Sequence, residues 1–212
     1  MQVIPAVNCH LGDTKCVEEK VRAAEKFAGW IHLDVADGKF TLNKTWADPT
    51  GWAGFRTKLK LEVHLMVEEP EKYISQWLAA EAKRFVLHVE TLTPKTARLI
   101  LEEAQKHGAE IMLTLNPETS VEVLRPYFKL FGYYQVLSVH PGFAGQKFLP
   151  LSLNKLRFLR KELPDVRIQI DGGVNAETGK LSKEAGADIL LASSYIFGSK
   201  NPKKAYETLK KL

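Results

Sequence analysis

Cysteine and methionine are scarce in this chain, with two of the first and three of the second in 212 residues. Cys9 and Cys16 are close enough along the chain to pair, but two thiols in a protein with no export signal are expected to be free. Long apolar runs are missing too. None approaches the ~20 residues a membrane-crossing helix needs, so no membrane span is expected. The first residues, MQVIPAVNCHLGD, pass straight into β-like sequence without a charged region followed by an apolar one. No secretion signal is read there, and cytoplasmic residence is expected. No Gly-x-Gly-x-x-Gly follows the first β-like segment, which argues against a dinucleotide-binding sheet. Linkers and low-complexity segments are absent, so residues 1–212 are read as one domain. Aromatic residues interleaved with basic ones are also absent. The formal charge of +5 is therefore read as a lysine-rich solvated surface, with Lys203, Lys204, Lys210 and Lys211 on the last helix, and nucleic acid is not an expected partner. A mild positive field suits a small anionic substrate.

What is present is alternation. Strand-like segments are read at Val3–Asn8, Trp30–Val35, Leu59–Val67, Arg84–Val89, Glu110–Leu115, Tyr133–Val139, Val166–Asp171 and Ile189–Ala192. Amphipathic stretches with helix punctuation lie between them. Thr93-Pro94 opens one and Gly108 closes it. Asp13 or Thr14 starts the first, with Gly29 past its end, and Asn175 caps the helix after the seventh strand. Nearly continuous apolar strands such as Ile189-Leu190-Leu191 suit a parallel sheet covered by helices. Eight such units predict an α/β fold of the closed (β/α)₈ TIM-barrel type, with few loop insertions.

Three strand ends bring chemistry. His32-Leu33-Asp34, His64 and Asp171 each close an apolar, β-branched run just before a turn. Side chains alternate along a strand, so His32 and Asp34 face the same way. Two imidazoles and two carboxylates suit one divalent ion of the Zn, Fe, Mn or Co type. In a barrel these strand ends share the face where active sites lie. Any single histidine is more often a packed or surface residue, but four ionisable groups at buried strand ends without partners would be costly. Glu62 and Gln169 are expected to hydrogen-bond the histidines from behind. His88 and Glu90 are candidates for the same role, or a satisfied core pair.

A second group reads as an anion cradle: the loop Pro141-Gly142-Phe143-Ala144-Gly145-Gln146, the pair Gly172-Gly173, and Ser193-Ser194 before a short segment. One glycine alone is usually a turn residue. Three such segments after the last three strands match where barrel enzymes bind phosphate, through backbone N–H groups.

The segments WIHLDVADGKF, EVHLMVEEPEKYI, LNPETSVEVL, LSVHPGFAGQKF, IQIDGGVN and AGADILLASSYIFG resemble successive signature segments of the ribulose-phosphate 3-epimerase family, in that family's order and spacing. The resemblance implies a metal-dependent barrel that interconverts D-ribulose 5-phosphate and D-xylulose 5-phosphate. It implies His32, Asp34, His64 and Asp171 as metal ligands, and Asp34 and Asp171 as the acid/base pair acting at C3. The Gly142–Gln146 loop, Gly172, Gly173 and Ser194 match its phosphate site, with Ser193 beside them; Asn8, His64 and Met66 would line the substrate. The family's habit of forming dimers or hexamers points to a homo-oligomer.

The chain departs from the family pattern at several places. Ala6 stands for a substrate-contacting serine, with Asn8 nearby as a polar substitute. Ala36 and Leu137 replace two of three capping methionines, and Met66 is kept. His140 stands where an acidic or amide residue is common, and Ser193 replaces a usual glycine. The segment Phe40-Thr41-Leu42-Asn43 is a further variation. These changes keep two alternatives open: an epimerase of a hexulose 6-phosphate such as allulose 6-phosphate, and a catalytically silent phosphosugar-binding relative. The Asp-x-Lys-x-x-Asp array of related decarboxylases is not present, because Asp34-Val35-Ala36-Asp37 has no lysine between its acids. Asp37 is read as a turn residue.

Overall fold

A β-branched, alternating run buries its side chains only when both faces are covered, and eight such runs solve this by closing into a ring. In the computed structural model, which describes residues 1–212, the strands are β1 (Gln2–Val7), β2 (Trp30–Ala36), β3 (Lys60–Met66), β4 (Arg84–His88), β5 (Glu110–Thr114), β6 (Tyr133–Leu137), β7 (Arg167–Asp171) and β8 (Ile189–Ala192). Each pairs in parallel with the next, and β8 closes on β1. Closure removes every sheet edge. No helix is long and apolar enough to cross a membrane.

The helices are α1 (Thr14–Ala24), α2 (Pro49–Gly54), α3 (Glu71–Ala79), α4 (Pro94–Lys106), α5 (Ser152–Glu162), α6 (Ala176–Glu184), α7 (Ser194–Phe197) and α8 (Pro202–Lys210). Their starts follow local chemistry. Asp13 accepts from the Cys16 N–H at the head of α1, and Thr93 and Asn175 form capping boxes at α4 and α6. Each such cap is worth about 1 kcal/mol. The fifth unit differs from the expected pattern: β5 is followed by a 3₁₀ helix, Val121–Tyr127, with Pro126 inside it. A proline there has no N–H to donate and its ring crowds the carbonyl four residues back, so an α-helix does not propagate.

Leu33, Val63, Phe85, Leu113, Val136, Ile170 and Leu190 face outward from the strands into one apolar layer shared with the helices. Burying each such side chain contributes about 1.5–3 kcal/mol. A small cluster of Ile4, Val86, Met112, Ile189 and Leu191 packs inside the barrel.

The barrel interior also holds a buried polar layer. Arg84, buried between the rings of Trp30 and Tyr133, donates to Glu62 at 2.8 Å and to Glu110 at 2.8 Å. This places one fixed cation below the strand ends described next.

The expectation of free thiols is corrected: Cys9 and Cys16 form a disulfide. The end of β1 and the first turn of α1 hold their Cα atoms 6.1 Å apart, within bridging range. Free thiols therefore no longer support the expected cytoplasmic residence.

Candidate active site

Register brings the strand ends together. Asp34 on β2 is the lateral partner of His64 on β3, and Leu137 on β6 is the partner of Asp171 on β7. One potential ligand atom from each of His32, Asp34, His64 and Asp171 lies within 4.8 Å of all the others. Asp34 Oδ1 is the hub, 3.1 Å from His32 Nε2 and 3.2 Å from His64 Nδ1. Asn8 donates to its other oxygen at 3.0 Å.

Each imidazole is oriented from behind. His32 Nδ1 lies 2.7 Å from Glu62 Oε1, whose second oxygen is held by Arg84. Gln169 was expected to contact a histidine but donates to Glu62 at 3.0 Å instead; from β7 its amide reaches the carboxylate first. His64 Nε2 lies 3.0 Å from His88 Nε2. His88 Nδ1 faces Glu90 Oε2 at 3.4 Å, at an angle too poor for a full hydrogen bond.

The charges in this buried cluster are divided unevenly. Burial pushes the Asp171 carboxyl up to about 7, reinforced by the charge of Asp34. Asp34 is driven far below the carboxylate range: burial opposes its ionisation, but the two imidazoles outweigh it. His32 is raised to about 10, because the Asp34 and Glu62 carboxylates overcome its burial. Burial lowers His64, and lowers His88 to about 4. The neighbouring acids are thus driven in opposite directions, Asp34 toward the ionised form and Asp171 toward the protonated one.

Above the cluster a cavity of about 560 Å³, open mouth included, is lined by Asn8, Asp34, His64, Met66, Leu137, Gly142 to Gln146, Asp171 to Gly173, Ser193 and Ser194. Every residue expected at the substrate or phosphate is in that wall. His32 lies fully buried beneath it. Ala6 is part of the wall, and Ala36 is not.

The loops after β6, β7 and β8 close the far side. Gly172 and Gly173 adopt φ of +109° and +61°. A Cβ on Gly173 would stand 2.6 Å from the Phe148 backbone nitrogen, so that position admits no side chain. Ser193 has φ of −103°, outside the left-handed region that favours glycine, so the position accommodates a serine. Gln146 lines the cavity, yet its amide donates to the carbonyls of His140 and Phe143 at 2.6 and 2.8 Å. It holds the loop's shape. His140 pairs with Glu118 at 2.9 Å, bridging the β5 and β6 loops. Asp37 is the turn residue expected, accepting from the Lys39, Phe40 and Glu68 N–H groups.

Two contributors were not singled out from the sequence. Asn43 donates to the Gly142 carbonyl at 2.6 Å and Asn8 to the same oxygen at 3.2 Å, so two amides clamp the Gly142–Gln146 loop onto the β1 and β2 loops. Lys20 on α1 donates to the Asn8 carbonyl at 3.1 Å. Neither carries a pattern at short range, since both partners are remote in the chain.

A closed parallel barrel with a buried His/Asp cluster at its strand ends, and glycines at positive φ in the loops after β6 and β7, has the active-site layout of a TIM-barrel enzyme. The family model described as "Ribulose-phosphate 3 epimerase family" matches residues 7–197. A Chlamydia muridarum protein named ribulose-phosphate 3-epimerase is 36% identical over 193 residues, covering 87% of this chain and 84% of its own. The Bacillus subtilis protein of that name is 36% identical over 208 residues, covering 93% and 94%. A solved 3-hexulose-6-phosphate synthase superposes with a TM-score of 0.75 over 100% of this chain and 99% of that one, at 16% identity, a likeness of fold. The chain belongs to the ribulose-phosphate 3-epimerase family, whose named members are isomerases.

Proposed function

We propose that this protein interconverts D-ribulose 5-phosphate and D-xylulose 5-phosphate by moving a proton at C3, with Asp34 and Asp171 as the acid/base pair. The observation that carries the reading is the convergence of two carboxylates, Asp34 and Asp171, with His32 and His64 beneath one cavity, where the surroundings push the two acids in opposite directions. Inversion needs a base on one side of the carbon and an acid on the other. Asp34, ionised and held by Asn8 and two imidazoles, is set to accept a proton; Asp171, kept protonated by burial, is set to give one. The two exchange these states for the reverse direction.

The donor set fits a divalent ion of the Zn, Fe, Mn or Co type. Two imidazole nitrogens and two carboxylates converge, and no lysine or arginine neutralises them. His32, Asp34, His64 and Asp171 would hold the ion. When bound, it supplies Lewis acidity that stabilises negative charge developing on the substrate oxygens next to C3. Glu62 and Arg84 fix His32 from below. Met66 and Leu137 supply an apolar surface over the reacting carbons, with Leu137 doing what a methionine does elsewhere in the family.

The phosphate would sit among the backbone N–H groups of Gly142 to Gln146, Gly172, Gly173, Ser193 and Ser194, where the Ser193 hydroxyl adds a donor. Anchoring the remote end turns its binding energy into orientation at C3. The test is turnover of D-ribulose 5-phosphate against allulose 6-phosphate, in heavy water. Faster turnover of the pentulose, with deuterium entering C3, is expected. Preference for the hexulose would move the assignment to that sugar, and no deuterium entry with either would identify a silent phosphosugar binder.

A further inference from the structure

The two sulfurs of the Cys9–Cys16 bond lie in unlike surroundings. Cys9 follows the end of β1 and is buried, at 3% exposure, whereas Cys16 is half-buried in the first turn of α1. Lys20 Nζ, one turn further along α1, stands 3.5 Å from Cys9 Sγ. On the other side, the Cys16 N–H is already taken by the Asp13 carboxylate at 2.9 Å, whose charge disfavours a second anion there. An incoming thiolate therefore reaches Cys16, and the electron pair is best received by Cys9 beside the ammonium. A leaving thiolate stabilised in this way departs faster. Burial pulls the Lys20 pKa down, against the charges of Asp34 and Asp13, so an anion formed next to it also favours its charged state. The same ammonium donates to the Asn8 carbonyl at 3.1 Å. Asn8 in turn gives one amide nitrogen to both Asp34 Oδ2 and the Gly142 carbonyl. Only Lys20 and Asn8 thus stand between the Cys9 sulfur and the Gly142–Gln146 loop.

We propose that Cys9–Cys16 is a thiol–disulfide exchange site, opened at Cys16 by a soluble dithiol, and that its reduction loosens the hold of Asn8 on the Gly142–Gln146 loop. One thiolate of the dithiol bonds to Cys16 Sγ as the Cys9–Cys16 bond breaks, and the electron pair leaves on Cys9. The dithiol's second sulfur then attacks the first, closing a cyclic disulfide and releasing Cys16. The protein gains two electrons, and the two protons given up by the dithiol end on Cys16 and on the Cys9–Lys20 pair. A thiolate attracts an ammonium more strongly than a disulfide sulfur does. Lys20 therefore shifts its hydrogen bonding from the Asn8 carbonyl to Cys9, while the chain from 9 to 16 loses its closure. Asn43 still holds the Gly142 carbonyl, and Asp34 keeps both imidazoles. The loop is weakened as an anchor and the ion centre stays as it was. The effect on binding rests on that loop being the phosphate anchor; the exchange site does not.

The order of events is read with glutathione, a monothiol that leaves a mixed disulfide when quenched early. Acid quenching, alkylation and peptide mapping should place glutathione on Cys16 and the alkyl group on Cys9. Reduction by dithiothreitol should slow by about 5–10-fold in Lys20→Met and recover in Lys20→Arg, which keeps the charge. The coupling is read without any ligand. The Asn8 side-chain ¹H–¹⁵N pair, identified by its loss in Asn8→Leu, should shift toward free-amide positions on reduction and return on reoxidation. Inorganic phosphate affinity should drop by about 2–10-fold on reduction, the worth of one hydrogen bond. Protein carrying both Cys9→Ser and Cys16→Ser should not respond to dithiothreitol. Glutathione on Cys9, or equal reduction rates in parent and Lys20→Met, overturns the exchange site. An unmoved Asn8 amide in fully reduced protein overturns the coupling. If the amide moves while phosphate affinity holds, the loop's role as anchor fails and the redox coupling stands.

Discussion

The two ends of the cavity are built in opposite ways. At the strand ends, side chains supply all the chemistry: His32, Asp34, His64 and Asp171 project from β2, β3 and β7, and each histidine is braced by a further buried polar residue. At the loop end, glycines bare the backbone, and the side chains present, such as Gln146 and Asn43, mostly hold loop carbonyls. The strand end is set by sheet register, which a substitution does not readily shift. The loop end is set by local conformation and a few long-range clamps. The proposed proton transfer is therefore assigned to the register-fixed end, and the proposed phosphate anchor to the backbone of the loops. Of the departures that line the cavity, His140 and Ser193 sit in its loops, Ala6 and Leu137 project from β1 and β6, and the four clustered residues themselves carry none.

The largest expected effect lies at the strand end. Asp171→Asn should lower C3 exchange by about 10²–10⁴-fold, the range of a lost general acid or base, while phosphate binding persists; a dye-displacement assay with inorganic phosphate checks the second half. Near-normal exchange would contradict the roles assigned. Next is Arg84→Met, which strips Glu62 of its buried partner and should destabilise the fold by about 3–5 kcal/mol in chemical denaturation. A neutral result would mean that the polar barrel interior tolerates a lone carboxylate, weakening the contrast drawn above. At the loop end Gly173→Ala meets the Phe148 backbone at a positive φ and should cost about 1–3 kcal/mol. That loss should appear as a higher KM with kcat changed less, whereas a change in kcat alone would place Gly173 nearer the chemistry. Replacing Cys9 and Cys16 with serine frees a short loop and should lower stability by roughly 2–3 kcal/mol without altering ion affinity.

A pH experiment sharpens the same comparison. In the metal-free protein Asp171 keeps its proton to higher pH than in the unfolded chain, so this residue makes stability fall as pH rises from about 4 to about 7. An ion must expel the proton that the carboxylates hold on His32. Ion affinity should therefore climb with pH through this window, with proton release seen by calorimetry in buffers of different ionisation heat. Binding without proton release would contradict it. Phosphate binding at the loop end relies on backbone donors and should lack that dependence, apart from the phosphate's own titration near pH ~6.

Much of the strand end was legible in the sequence, because its signals are short-range. Period-two alternation and the His-x-Asp spacing locate the ligands, and Asp13, Thr93 and Asn175 cap helices where their side chains dictate. What was hidden depends on partners far apart in the chain. Gln169 finds Glu62 across 107 positions, Asn43 finds Gly142 across 99, and neither carries a local mark. The Cys9–Cys16 bond depended on how closely β1 and α1 approach, and the 3₁₀ rather than α-helical segment after β5 goes with Pro126 inside it.

The central claim is that side chains from β2, β3 and β7 form one ion centre. Titrating metal-stripped protein with Mn(II) or Co(II), followed by elemental analysis, measures this directly. The account predicts one tightly held ion per chain, lost when either His64 or Asp171 is changed to alanine, in proteins that still melt cooperatively. Undiminished binding in both variants, or none in the unaltered chain, would contradict it.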